Sequence, residues 1–227
     1  MKAALFKGKN LKSTVVFKEC KLKNILSFVN DQNISGTIIS SVREINSDIK
    51  ELIDHFDAFL LDFNILLPIV INYKTPQTLG SDRIAALVGA SVLFPNKDVL
   101  VFDAGTCLTI DFITKEKVYK GGRISPGIAM RYKALYQFTD QLPLCKFSSE
   151  SILMGGDTKS SIISGVQQGI LSEVREIINF YKQENKETTI AVTGRDCFFF
   201  EKALKNSIFA KPFLVMEGLN EILDYNE

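Results

Sequence analysis

The segment VLVFDAGTCLTIDFI, from Val99 to Ile113, limits the fold more than any other stretch of the chain. Two apolar runs of strand length flank Asp103, Ala104, Gly105 and Thr106. Only a tight reversal fits between them, so both runs read as neighbouring buried strands. The turn admits two readings. It is either a plain reversal with a solvated acid, or a place where a strand pair grips a cation and a phosphate. The second has a physical basis, because a carboxylate at a strand end holds a cation and a glycine lets the backbone approach a phosphate without a Cβ clash. Thr106 and the amides around it supply donors to anionic oxygens.

Other sites built on an aspartate or a glycine-rich turn do not match. A haloacid-type phosphatase needs a second aspartate two positions on, where this chain has Gly105. An aspartic protease carries its hydroxyl residue directly after the acid, where this chain has Ala104. No GxxxxGK[ST] loop occurs anywhere.

Helical and strand periods alternate through the rest of the chain. Residues 3–19 read as a hairpin split at Gly8, Lys9 and Asn10, and residues 21–33 as a helix with Leu22, Ile25, Leu26, Phe28 and Val29 at helical spacing. A strand at 35–42, a helix at 43–56 and a strand at 58–63 follow. After the loop INYKTPQTLGSD, residues 83–94 read as a helix rich in small residues, docked closely on a sheet. Pro95 to Asp98 then punctuate the chain and set the expected boundary, with one domain at 1–96 and another at 97–227. The second half repeats the plan with strands 99–105, 108–113 and 118–124, and a helix from Pro126 to about Leu142. A long amphipathic helix runs from Thr158 to about Lys182 on the stripe Val166, Ile170, Val174 and Ile177. A strand at 188–194, a helix at 196–205 and a closing strand and helix within 211–225 complete it. The pattern predicts an α/β chain with mixed sheets. It also leaves a gap. The second half has three opening strands and the first has two, so the equivalent of VLVFDAGT is missing and Met1 stands where the second strand begins.

Composition narrows the class. Apolar residues are 46% and charged residues 23% of 227, an ordinary globular balance without a disorder signature. Net charge is +1, which predicts neither a nucleic-acid partner nor an acidic membrane surface. Cys20, Cys107, Cys145 and Cys197 are scattered without a CxxC pair, as in a reducing compartment. The start, MKAALFKGKN, has no hydrophobic core long enough for a signal peptide. The run FNILLPIVI is interrupted by Asn64 and Pro68 and is too short to span a bilayer, so the chain reads as soluble and cytoplasmic.

Further stretches carry chemistry-bearing residues. In NYKTPQTLGSDR, Asn72 to Arg83, Asp82 is either a helix-start acid or a base. Arg83 beside it is harder to read as structural, since the helix dipole disfavours a cation there; a guanidinium holding an anion explains it. GGRISPG, Gly121 to Gly127, is either a tight strand-to-helix connection or a substrate-facing loop whose helix amides meet an anion. Thr158 in GGDT reads as a helix N-cap and also as a hydroxyl at the mouth of a cleft. Thr193 and Gly194 of AVTG end a strand where a nucleotide can approach the backbone. Cys107 reads as packing, and His55 as surface.

Together these motifs resemble the type III pantothenate kinases of the acetate and sugar kinase/Hsp70/actin superfamily. The matches are Y-x-x-P-x-x-L-G-x-D-R at Tyr73 to Arg83, D-x-G-T at Asp103 to Thr106, G-G-x-I-x-P-G at Gly121 to Gly127, Thr158 and the T-G of AVTG, in the family's order. The resemblance implies duplicated ribonuclease-H-like, actin-like ATPase domains with ATP between them, and transfer of the ATP γ-phosphate to pantothenate, giving 4′-phosphopantothenate for coenzyme A synthesis. It implies Asp82 as the base, and Tyr73, Gly80, Ser81, Asp82, Arg83 and Thr158 as substrate contacts, with Thr158 acting across a homodimer interface. It implies Gly105 and Thr106 as ATP contacts, Asp103 as ligand of a monovalent cation (potassium or ammonium), and Mg²⁺ as a further cofactor. Family members open with a strand and a D-x-G-N-T turn that this sequence lacks, the same gap that the strand count shows. The expectation is therefore a first domain incomplete at its N-terminus, with either a start upstream of Met1 or a catalytically impaired or regulatory homologue.

Overall fold

A computed structural model describes every residue except Asp31, Arg43, Phe63, Ser151, Lys205, Asn206 and Ser207. The chain divides into two compact units. Unit 1 comprises Met1–Leu93, Lys117–Tyr119 and Phe213–Glu227; unit 2 comprises Phe94–Glu116 and Lys120–Pro212.

In unit 1, β1 (Lys2–Lys7) and β2 (Asn10–Val16) form an antiparallel hairpin. Gly8 supplies the positive φ of +54° that its tight turn requires. After α1 (Leu22–Val29), which Asn30 ends in the left-handed conformation, β3 (Ile38–Ile39) pairs in parallel with β4 (Phe59–Leu60). Between them runs α2 (Ser47–Phe56), capped by Asn46, whose side chain accepts from the Ile49 amide. β5 (Val70–Ile71) pairs in parallel with Val118 and Tyr119, the first residues of a later strand. α3 (Ser81–Leu93) is buried at Ser81 and at every position from Arg83 to Ser91. A helix covered nearly all round needs no polar stripe, which is why its sequence is a run of small and apolar residues.

The cover over α3 includes the last helix, α7 (Leu214–Asn226). A Cβ at Gly89 would overlap the Leu214 carbonyl oxygen, and one at Gly218 would overlap that of Ala85. The two backbones therefore meet where neither carries a side chain. This contact is what groups the C-terminal residues with unit 1, whereas the sequence division at 96/97 leaves them with the second half.

Unit 2 is built on a mixed sheet. β6 (Val99–Ala104) lies antiparallel to β7 (Cys107–Ile113) and parallel to β9 (Thr189–Thr193), in the order β10 (Phe209–Ala210), β9, β6, β7, β8 (Val118–Pro126). α4 (Ile128–Gln137), α5 (Thr158–Glu184) and α6 (Cys197–Ala203) complete it. Leu100, Phe102, Leu108, Ile110, Ile190 and Val192 share one core with Val166, Ile170, Val174 and Ile177 of α5. Each such side chain contributes roughly 1.5–3 kcal/mol when fully buried, which holds the sheet rigid under its turn.

Several elements differ from the sequence expectation. The strand read at 35–42 is ordered as strand only at Ile38–Ile39, because its one pairing is with the equally short β4. The helix read from Pro126 to Leu142 starts at Ile128 and stops at Gln137; Pro126 completes β8, and the Thr139 hydroxyl bonds back to the Leu135 carbonyl at 2.6 Å. The closing strand lies at Phe209–Ala210, ahead of the residues read as strand, since Pro212 follows it and α7 begins at Leu214. Ile71, the second residue of β5, and a 3₁₀ turn at Pro76–Thr78 fall in the stretch read as loop. Asp31, Arg43 and Lys205, read as helix, and Phe63, read as strand, lie outside the described residues.

Gly218→Ala forces a Cβ into the Ala85 carbonyl and is expected to destabilise the protein by about 3 kcal/mol. The exposed helix substitution Lys50→Ala should change stability by less than about 0.5 kcal/mol. Urea unfolding midpoints for the two variants check the contrast.

Candidate functional site

The Tyr73–Arg83 motif lies wholly in unit 1, at the start of α3. Gly80 ends the approach, and its carbonyl accepts from the Arg83 and Ile84 amides at 3.1 and 3.2 Å. Asp82 sits in the first helical turn, where the dipole favours a carboxylate. Its Oδ1 accepts from the Arg83 amide at 2.8 Å, and Oδ2 has no hydrogen-bond partner among the described residues. Ser81 is buried, with its hydroxyl 2.8 Å from that of Ser40 and donating to the Ser41 carbonyl at 3.4 Å. That pair ties the motif to the residues after β3.

Arg83 is only 6% exposed, so its charge is fixed in place rather than free to sweep solvent. Its Nη2 donates to the Tyr119 hydroxyl at 2.8 Å, and its guanidinium carbon is 6.0 Å from the Tyr119 ring centroid. The half-buried Tyr73 ring lies 5.6 Å from that of Tyr119. Tyr119 was not singled out from the sequence. Its one signal is the strand period, and its contact with Arg83 depends on Ile71 pairing with it across β5 and β8.

The D-x-G-T turn lies in unit 2 and is held from both sides. The Gly105 amide donates to the Cys107 carbonyl at 2.9 Å, closing the reversal. On one side the Gly127 amide donates to the Thr106 carbonyl at 3.1 Å. A Cβ on Gly127 would overlap the carbonyl oxygens of Gly105 and Thr106, so only glycine allows this approach. On the other side the Asp196 amide donates to the Ala104 carbonyl at 3.0 Å. Gly194 there has φ +89°, and its Cβ would overlap Asp103 Oδ1 and the Ala104 oxygen. Thr106 is exposed on the turn between them.

One face of this sheet end carries oxygen donors. Thr193 and Thr109 stand directly across from Asp103 on the neighbouring strands. The Thr193 hydroxyl is buried and has no hydrogen-bond partner among the described residues. A buried orphan hydroxyl beside a carboxylate is costly unless something else binds it.

Thr158 is exposed and opens α5, but it is not the cap. Asp157 is: it accepts from the Ser160 amide at 3.0 Å, while the Ser160 hydroxyl accepts from the Asp157 amide at 3.1 Å. Those bonds from Ser160 hold the Asp157 carboxyl below its ordinary range. The cap's contribution is therefore present above the ordinary carboxylate pKa and is lost as pH falls through the lowered one. The Thr158 hydroxyl is left without this structural task.

Comparison with known proteins decides the family. The sequence model of the type III pantothenate kinases matches residues 5–180. A type III pantothenate kinase of Bacteroides fragilis (strain YCH46) is 40% identical over 227 residues, covering 99% of this chain and 93% of the relative. That of Cytophaga hutchinsonii is 42% identical over 226 residues, covering 100% and 95%. The chain belongs to the type III pantothenate kinase family.

Two solved structures share the fold. A Baf family transcriptional activator from Campylobacter jejuni superposes with a TM-score of 0.59 at 24% identity, covering 89% of this chain and 88% of that one. The activator of 2-hydroxyisocaproyl-CoA dehydratase from Clostridium difficile gives 0.54 at 8% identity, covering 99% and 89%. The architecture is α/β with mixed sheets. Membership makes the protein an ATP-dependent kinase of coenzyme A biosynthesis that works with a divalent metal. Among the described residues no group of three or more His, Cys, Asp or Glu side chains is placed to hold a metal ion. Among the described residues no helix is long and apolar enough to cross a membrane.

Gly127→Ala should push the SPG segment off the turn and destabilise the protein by about 1–3 kcal/mol, read as a lower urea unfolding midpoint.

Proposed function

We propose that Asp82 is the general base of the pantothenate kinase reaction and that the D-x-G-T turn is its nucleotide-phosphate contact. The observation that carries this reading is the turn itself, held by glycines on both sides with the Thr106 hydroxyl left exposed. Asp82 offers Oδ2 to the pantothenate hydroxyl while the Arg83 amide fixes Oδ1. Phosphoryl transfer asks mainly for positioning and charge neutralisation, so a held carboxylate suffices as base. Tyr73, Gly80 and Ser81 shape the substrate pocket, and the fixed positive charge of Arg83 faces the substrate carboxylate. Thr158, free of capping, adds a hydroxyl to pantothenate across a homodimer interface. Gly105 and Thr106 hold phosphate oxygens. Mg²⁺, when bound with ATP, neutralises charge on those oxygens.

Asp103 is read as the ligand of a monovalent cation, potassium or ammonium, with the orphan Thr193 hydroxyl as a second donor. The homodimer is supported by large apolar side chains exposed on unit 2, among them Phe138, Leu153, Met154 and Phe180. Four free thiols and the near-neutral net charge support a cytoplasmic enzyme. The two units are read as ribonuclease-H-like halves with a sequence boundary near residue 96.

Asp82→Asn keeps the shape of the side chain and removes the base. It should lower kcat by about 10³-fold with ATP binding unchanged, as read by a coupled ADP-release assay. Retained turnover in a folded variant would refute the assignment. Thr193→Val should act in two directions. Removing the orphan hydroxyl should raise stability by about 1 kcal/mol, while the potassium concentration needed for half-maximal activity should rise. An unchanged potassium requirement, measured by titration in a sodium-free buffer, would exclude Thr193 from the cation site.

A further inference from the structure

The peptide joining Pro126 to Gly127 is gripped at both of its polar ends. Its N–H donates to the Thr106 carbonyl at 3.1 Å, and its C=O accepts from Arg131 Nε at 2.8 Å. Arg131 is itself fixed. Its Nη2 donates to Ser125 Oγ at 3.3 Å and forms an ion pair with Glu173 Oε2. The Ser125 hydroxyl donates to the other Glu173 oxygen at 2.7 Å. Arg131 is on α4 and Glu173 on α5, with side chains 23% and 28% exposed.

None of these contacts is needed to end β8 or start α4. Arg131 stands in the first turn of its helix, where the dipole opposes a cation, and Glu173 on the next helix compensates it. A partly buried ion pair such as this one is by itself weak evidence of added global stability, because desolvation offsets much of its attraction. What it does locally is different. A charged donor on the Pro126 carbonyl polarises the peptide and strengthens its N–H as a donor to Thr106. The two separate donors of Arg131 on Ser125 and Pro126 also fix the peptide plane, and with it the distance from Gly127 to the turn.

We propose that Arg131 and Glu173 form a positioning pair that sets the geometry of the D-x-G-T turn through the Pro126–Gly127 peptide. The inference rests on the reading of Thr106 as a phosphate contact. The pair touches no substrate and acts only through Gly127.

The test measures amide exchange at Gly127 in the free protein, together with the Kd values for ATP and for pantothenate. Arg131→Ala and Glu173→Ala should each speed Gly127 exchange and weaken ATP binding by about tenfold. Pantothenate binding should stay within about twofold. The double variant should be no worse than either single one, because each already releases the same peptide. Arg131→Lys should restore only part of the effect, since an ammonium keeps the charge without the fork. Unchanged Gly127 exchange and ATP binding in both alanine variants would overturn the proposal, as would equal losses for ATP and pantothenate, the mark of a general structural role. If Glu173→Ala does not fold, Glu173→Gln carries the test: faster Gly127 exchange supports the pair, and unchanged exchange refutes it. Thr106→Ala separates the two layers. If it weakens ATP binding while Glu173→Ala does not, the pair alone fails. If Thr106→Ala leaves ATP binding unchanged, the turn reading fails and the inference falls with it.

Discussion

The structure turns on a place where backbone must meet backbone. The D-x-G-T reversal is flanked by Gly127 and Gly194, and a methyl group on either would collide with its carbonyl or carboxylate oxygens. Two segments far apart in sequence, SPG and TG, are thereby brought to one sheet end without side chains between them. The rest of unit 2 supports that approach. The core under β6, β7 and β9 keeps the strand ends rigid, and α5 supplies the carboxylate that fixes the SPG segment through Arg131. A turn held by main chain keeps its donors in place, so they need not reorganise if charge develops beside them.

Unit 1 meets a different demand with a similar device. Its motif residues ride on a helix that is covered nearly all round, and the cover requires α7 to cross at Gly89 and Gly218. Burial gives Arg83 a fixed direction, which Tyr119 maintains from a strand that enters the unit for only three residues. The carboxylate of Asp82 is held by one oxygen in the first turn of this buried helix. The same packing that stabilises the helix also points its chemical end.

Much of this was legible in the sequence. The apolar runs on both sides of Asp103–Thr106 left no alternative to a strand pair, and the stripe Val166, Ile170, Val174 and Ile177 marked α5. Asp82, Arg83 and the turn residues stood out by type, but their roles, and the choice of Tyr73, Gly80 and Ser81, came from the family resemblance. What was not legible depends on distance. β5 is two residues long and exists only because Val118 and Tyr119 pair with it. Arg131 and Glu173 are 42 positions apart, and nothing local signals that they meet. Thr158 looked like a cap because threonine commonly is one, but Asp157, one residue earlier, also suits the role and has Ser160 at the reciprocal position. The return of α7 to unit 1 is encoded by two glycines that, read locally, look only like weak points in helices.

That return has a consequence for synthesis on the ribosome. Apart from residues 117–119, unit 2 is one uninterrupted stretch that has been translated in full before α7 emerges. Unit 1 has its first 93 residues much earlier, yet α3 stays without the partner that covers its glycine face until translation reaches Leu214. The usual order of vectorial folding, N-terminal part first, therefore cannot complete unit 1 before all of unit 2 has been translated. The helix that presents Asp82 and Arg83 spends most of translation with apolar surface waiting for its cover, and it is the interval most exposed to chaperones and to aggregation.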